Sequence, residues 1–238
     1  NASAKITFTN QFPNELTVSA EKHTGLFCNT METGSSLTAV LKQKNGAIKV
    51  AATASEADAG GFVGRMEANS SLTVAGCSVN QVSSALGNAG GLVGSSTDGT
   101  LCVASTTEES TTPFIFADTL TLQAANEKAA GGLIGAYSVG NTQRNSISYD
   151  LSHYTFKNFV ISGGQDVGGL FGLLKNTSTT ASQISINLGN TANASNPVNT
   201  AVSAAVTYFG GLIGNYQSSL MANTLCITGN LDSFILVV

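Results

Sequence analysis

Few residues in this chain combine the type and the spacing that chemistry needs. Its two histidines, His23 and His153, stand far apart, and neither has the Cys-x-x-Cys or His-x-x-x-His neighbours that would hold zinc. Both are expected at solvent-facing positions. A serine nucleophile requires a matched base and a sharp Gly-x-Ser-x-Gly elbow; Gly94-Ser95-Ser96 and Ser162-Gly163 offer neither. The glycine-rich segments precede no Gly-Lys-Ser/Thr and no helix start, so they do not make a phosphate-binding loop. Among the acidic residues, Asp58 and Asp166 share a place, each two positions ahead of a Gly-Gly pair. Acid–base cleavage of a polysaccharide would need two or three such carboxylates gathered in one cleft.

Where these side chains end up depends on a repeat. Five times the chain carries two glycines, two apolar residues and a third glycine: Gly60-Gly61-Phe62-Val63-Gly64, Gly90-Gly91-Leu92-Val93-Gly94, Gly131-Gly132-Leu133-Ile134-Gly135, Gly168-Gly169-Leu170-Phe171-Gly172 and Gly210-Gly211-Leu212-Ile213-Gly214. Thr24-Gly25-Leu26-Phe27-Cys28 reads as a worn sixth copy, without the first and last glycines. A period of a few dozen residues is the mark of a stacked architecture, in which one unit cannot bury its apolar side alone.

Each unit carries two more extended stretches. One reads apolar–x–apolar: Leu72-Thr73-Val74, Leu101-Cys102-Val103, Ile147-Ser148-Tyr149, Ile184-Ser185-Ile186 and Leu225-Cys226-Ile227. The other precedes the next glycine phrase: Ile48-Lys49-Val50, residues 79–82, Leu120-Thr121-Leu122, Phe159-Val160-Ile161 and residues 202–206. Alternation of this kind, broken by Asn, Gly and Ser, is the strand signature, and no segment sustains a helical apolar stripe. The expectation is an all-β, single-domain parallel β-helix (β-solenoid) of about six rungs with three short strands per rung. Residues 1–20 are assigned as N-terminal capping strands, 21–230 as repeat rungs, and 231–238 as a C-terminal strand or cap. At a rung spacing of about 4.8 Å the rod would be roughly 30 Å long. The competing arrangement, glycine-rich hairpin loops of an antiparallel sandwich, gives no reason for one phrase to recur at full-rung intervals. The glycines are expected to permit positive φ and close backbone approach at a corner.

In this frame the column two residues before the phrase is Asp58, Asn88, Ala129, Asp166 and Tyr208. Asp58 and Asp166 fall three rungs apart, roughly 14 Å, too far for one paired site. Turn residues bonding their own backbone are the expected role of this column. Cys102 and Cys226 fall in one column, also three rungs apart, which forbids pairing. The four cysteines, Cys28, Cys77, Cys102 and Cys226, are expected as buried or half-buried thiols, with a Cys77–Cys102 bridge as the alternative. Glycosylation acceptor triplets begin at Asn1, Asn69, Asn176 and Asn193.

The phrase Gly-Gly-apolar-apolar-Gly in a Ser/Thr/Asn-rich background resembles the GLUG-type repeats of microbial surface proteins, over roughly residues 24–230. That resemblance implies an extracellular or cell-surface β-solenoid serving as a stalk or adhesive surface. Some bacterial immunoglobulin A peptidases carry such repeats, but their His-Glu-x-x-His zinc motif is absent here, so no peptidase activity carries over.

Composition narrows the classes further. Charged residues are 10% of the chain against roughly 25% in average proteins, so the polar surface must come from Ser, Thr, Asn and Gln. A net charge of −4 without a Lys/Arg cluster argues against nucleic-acid binding, and no apolar run approaches the length of a membrane-spanning helix. The missing initiator Met suggests a trimmed chain. The expectation is therefore a non-enzymatic surface module with no catalytic residues, cofactor or metal. It would display loops or assemble with copies of itself or with neighbouring repeats, with a glycan or host surface as a further partner; a carbohydrate-active or carbohydrate-binding β-helix is the alternative. The polar stretches at 105–112, 177–182 and 189–197 are the first loops to consider for recognition. The apolar run 234–238 reads as a last core strand, a strand donated to a neighbour, or the cut edge of a longer protein.

Overall fold

In the computed structural model the chain is a parallel β-solenoid. It describes residues 2–11, 14–43, 46–103, 114–115, 117, 119–140, 146–150, 154–155, 158–162, 164–190, 200–203 and 207–230. Among these residues there is no helix, and every strand pairing is parallel.

Each rung visits four sheets in the same order. The first sheet stacks Ser3–Asn10, Ser36–Gln43, Ser71–Gly76, Thr100–Val103, Ser146–Asp150, Gln183–Asn190 and Thr224–Asn230. The second stacks Leu16–Ala20, Ile48–Ser55, Gln81–Leu86, Thr119–Gln123, Asn158–Ser162 and Thr200–Ser203. The glycine phrase supplies the third and fourth. Its first glycine closes a very short strand (Ala59–Gly60, Ala89–Gly90, Ala129–Gly131, Asp166–Gly168, Tyr208–Gly210), and its second apolar residue opens another (Val63–Met66, Val93–Thr97, Ile134–Val139, Phe171–Asn176, Ile213–Ser218). The three extended stretches expected per rung are therefore present, one of them divided by a bend. Residues 3–10 and 16–20, assigned as capping strands, pair in register with 36–43 and 48–52 as the outermost strands of their sheets.

The phrases lie directly over one another. Gly25, Gly60, Gly90, Gly131, Gly168 and Gly210 form one column, and Cys28, Val63, Val93, Ile134, Phe171 and Ile213 another. At each bend two successive N–H groups converge on one carbonyl of the next rung. Leu92 N and Val93 N both donate to Leu133 O at 2.9 Å; Leu133 N and Ile134 N both donate to Leu170 O at 2.9 and 3.1 Å. This bulge-like kink explains why two neighbouring apolar residues are both inside, where simple alternation would send one outward. Phe62, Val63, Leu92, Val93, Leu133, Ile134, Leu170 and Phe171 are all at most 1% exposed. Truncating any one of them to alanine would cost about 2–5 kcal/mol.

Close approach, rather than positive φ, is what demands the glycines. None of the phrase glycines has a left-handed backbone; among the described residues the glycines that do are Gly34, Gly46, Gly76 and Gly164. A Cβ on Gly90 would sit 1.8 Å from Val93 O, and one on Gly131 2.1 Å from Ile134 O. The final glycine is excluded from bearing a side chain by the preceding rung: a Cβ on Gly64 would meet Thr24 N at 2.4 Å, and one on Gly94 would meet Gly64 O at 2.5 Å.

That geometry corrects the reading of the first copy. Gly25 pairs with Gly60 and Cys28 with Val63, so the phrase there is Gly25-Leu26-Phe27-Cys28-Asn29, one residue later than expected. Cys28 replaces the second apolar residue, not the last glycine. Asn29 is tolerated in the final position because no described strand lies on the side its Cβ faces.

The first-sheet columns follow the expected register, Leu72 on Leu101 and Ile147 on Ile184 on Leu225, except at one junction. There Cys102 pairs with Asp150 rather than Ser148. A two-residue slip preserves which face each side chain takes, because the strand period is two.

Candidate functional site

The corner just before the glycine phrase holds the buried carboxylates Asp58 and Asp166. Correcting the first copy places His23 two residues before Gly25, at the head of the column Asp58, Asn88, Ala129, Asp166, Tyr208. His23 Nδ1 accepts the Asp58 N–H at 3.0 Å and lies 3.5 Å from the Asp58 carboxylate. Asp58 Oδ1 accepts from Asn88 N at 2.9 Å and from Asn88 Nδ2 at 2.7 Å, while Oδ2 accepts from the Ser95 hydroxyl at 2.5 Å. Asn88 Oδ1 in turn accepts the Ala129 N–H at 2.9 Å. Each side chain thus bonds the next rung, where bonds to its own turn were expected.

Asp166 repeats the arrangement three rungs on, accepting from Asn215 Nδ2 at 3.1 Å; Ser95 and Asn215 each follow the final glycine of their phrase. Burial pushes the Asp166 carboxyl above its ordinary range, and the Asn215 bond opposes this only in part. The desolvated carboxylate has lost water and regained few donors.

Ser95, Asp58 and His23 are the residue types of a nucleophilic relay, but in another order. A relay places histidine between serine and aspartate so that its free nitrogen takes the hydroxyl proton. Here the aspartate is central, Ser95 donates to it directly, and His23 Nδ1 is occupied by a backbone N–H. The trio ties three rungs together. His23 is half-buried in this ladder, not simply solvent-facing; His153 lies outside the described residues. Among the described residues no three His, Cys, Asp or Glu side chains gather closely enough to hold a metal ion.

Comparison with family models, with curated proteins and with solved structures finds no match to the chain. Its site must be argued from its own geometry.

The cysteines are all unbridged. Cys28 donates to Thr30 O at 2.9 Å, and burial raises its thiol pKa. Cys102 is exposed, against the expectation of a buried or half-buried thiol. Of the glycosylation triplets, Asn69 is exposed at a left-handed corner (φ 58°), whereas Asn176 is buried and its Nδ2 donates to Ser182 Oγ at 2.8 Å. Asn1 and Asn193 lie outside the described residues.

Of the loops nominated for recognition, 105–112 and 191–197 also lie outside them. The third, 177–182, is closed on itself. Asn176 Oδ1 accepts Ser178 N, Ser178 Oγ donates to Thr180 O, and Ser182 N and Oγ both donate to Asn223 Oδ1. Its polar groups are largely spoken for.

The two ends of the stack differ. Residues 176–231 contain no Asp, Glu, Lys, Arg or His. At that end Tyr208, Tyr216, Met221 and Ile227 are exposed, and Phe209, Leu212, Ile213 and Leu225 are only partly buried. The other end carries Lys5, Glu15, Glu21, Lys22 and Glu32 on its first rung.

Proposed function

We propose that this chain is a non-enzymatic structural and adhesive module of the cell surface or of a secreted protein. It is a repeat-built rod that displays loops and associates through its ends with further copies or with neighbouring repeats of a longer surface protein. The observation that carries this reading is the uncharged C-terminal rung, whose outer strands expose apolar side chains. Sheet edges are ordinarily blunted by lysine, proline or a covering element. The described edge strands Thr224–Asn230 and Ile213–Ser218 contain no lysine and no proline. Sparse charge elsewhere suits a surface of hydroxyls and amides.

A carbohydrate-cleaving reading is weakened by the same geometry. Asp58 and Asp166 stand three rungs apart and are each engaged by a neighbouring side chain, Ser95 and Asn215. Sedimentation velocity and electron microscopy test the proposal: concentration-dependent end-to-end species support it, and a compact monomer at all concentrations, with no binding to glycans or host proteins, overturns it.

A further inference from the structure

The second-to-third-sheet corner of the fourth rung carries a hydrogen-bonded turn. There residues 124–128 link the strand Thr119–Gln123 to the strand Ala129–Gly131. These residues form a turn, closed by Lys128 N donating to Ala125 O at 3.0 Å and fastened to its neighbours by Ala125 N to Gly87 O and Gln165 N to Lys128 O. Between this turn and residues 83–86 of the preceding rung lies an open cleft of about 610 Å³. That volume is within the usual range of small-molecule sites.

Ser83, Gln123, Asn126, Glu127 and Lys128 line the cleft, together with Leu86, which is 51% exposed. Unlike the groups of the 177–182 loop, these five polar side chains make no hydrogen bond or ion pair with the described residues. Meanwhile the turn that carries three of them is held by backbone bonds on both sides. The cleft is thus a supported surface with unspent donors and acceptors.

We propose that this cleft binds a neutral oligosaccharide. Vicinal sugar hydroxyls are paired donors and acceptors, which the carboxamides of Gln123 and Asn126 match with one oxygen and one NH2 group each. Glu127 accepts from two hydroxyls, Lys128 and Ser83 donate, and Leu86 covers the C–H face of a ring. Glu127 and Lys128 cancel in charge, which favours a neutral ligand over a sialylated or uronic one. A peptide strand is disfavoured, because Gln81–Ser83 already pair with Thr121–Gln123 and Ala125 N takes the Gly87 carbonyl at the far side of the cleft. This deepens the display reading by giving the rod a ligand class, and it stands or falls separately from end-to-end association.

The test titrates maltohexaose, chitohexaose, mannohexaose and sialyllactose into the 15N-labelled protein, alongside a double variant Gln123→Ala/Asn126→Ala. Both substituted residues are exposed, so folding is expected to be unaffected, and the amide spectrum checks it. The proposal expects at least one neutral hexasaccharide to shift amides of 83–86 and 123–128, and the double variant to weaken binding by about tenfold. It is overturned if none of the neutral sugars binds at up to about 10 mM, a few kcal/mol of affinity. It is equally overturned if sialyllactose alone binds, if the shifts map elsewhere, or if the variant binds within about twofold of wild type. Sedimentation of the same variant separates the two readings: rods that assemble without binding sugar refute this site alone, and sugar binding by a strict monomer refutes assembly alone.

Discussion

Replacing Gly131 by alanine should be among the most damaging single-methyl changes in the chain. The added Cβ would stand 2.1 Å from Ile134 O, 2.6 Å from Gly172 N and 2.8 Å from Leu170 O. All three atoms are backbone, so no side chain can rotate away. Two of the contacts belong to the phrase of the next rung, and relief requires opening the bend where Leu133 N and Ile134 N both donate to Leu170 O. Overpacking of this kind costs about 1–3 kcal/mol. Loss of the two bend hydrogen bonds adds about 0.5–1.5 kcal/mol each. The sum is about 4 kcal/mol, at the upper end for a point substitution. Gly140→Ala is the matched control, since its Cβ would meet only Thr177 Oγ1 at 3.4 Å and Asp98 Oδ2 at 3.8 Å; its expected cost is below about 1 kcal/mol. Urea unfolding followed by circular dichroism reads both. A Gly131→Ala midpoint close to that of Gly140→Ala would refute the close-approach argument.

Three further outcomes follow from the same geometry. Asp58→Ala strands the Asn88 N–H, Asn88 Nδ2 and Ser95 hydroxyl and should destabilise by about 2–4 kcal/mol in urea, with Asp58→Asn milder because one acceptor oxygen remains. Asp166 has a folded-state pKa above its unfolded one, so its contribution is fully present below the ordinary carboxylate range and is lost as pH rises through the elevated value. Asp166→Asn should therefore be more stable than wild type at neutral pH, with the gap in Tm closing below about pH 4. Gly135→Asn should unfold the stack locally, its Cβ being 2.6 Å from Gly94 O, whereas Asn29→Gly at the equivalent place in the first rung should cost less than about 1 kcal/mol; amide hydrogen exchange distinguishes them.

The solenoid was legible because its cause is repetitive. At each full copy a Cβ on the first glycine would fall about 2 Å from a backbone oxygen, so glycine recurs there, and both neighbouring apolar residues must be large because the bend turns both inward. The phase of the first copy was not legible by the same route. Thr24-Gly25-Leu26-Phe27-Cys28 matches the apolar pair by type, yet the required residue is the first glycine, and only the stacking of Gly25 on Gly60 reveals it. With that phase went His23, which joins the Asp58 column only after the shift. The ladder itself was misjudged because Asp and Asn favour their own turns in isolated chains, whereas here a neighbour 30 residues away lies one rung off. The Gln123–Lys128 turn contains a loop-forming Asn126, but nothing in its composition shows that it borders residues 83–86 of the rung before it.

The most direct test of the account is a set of backbone contacts across rungs. In a 15N-edited NOESY spectrum the account predicts amide cross-peaks linking Phe62 to Leu92, Leu92 to Leu133 and Leu133 to Leu170, because consecutive phrases stack at parallel strand spacing. Cross-peaks that instead connect each phrase to a strand folded back against it in antiparallel register would contradict it.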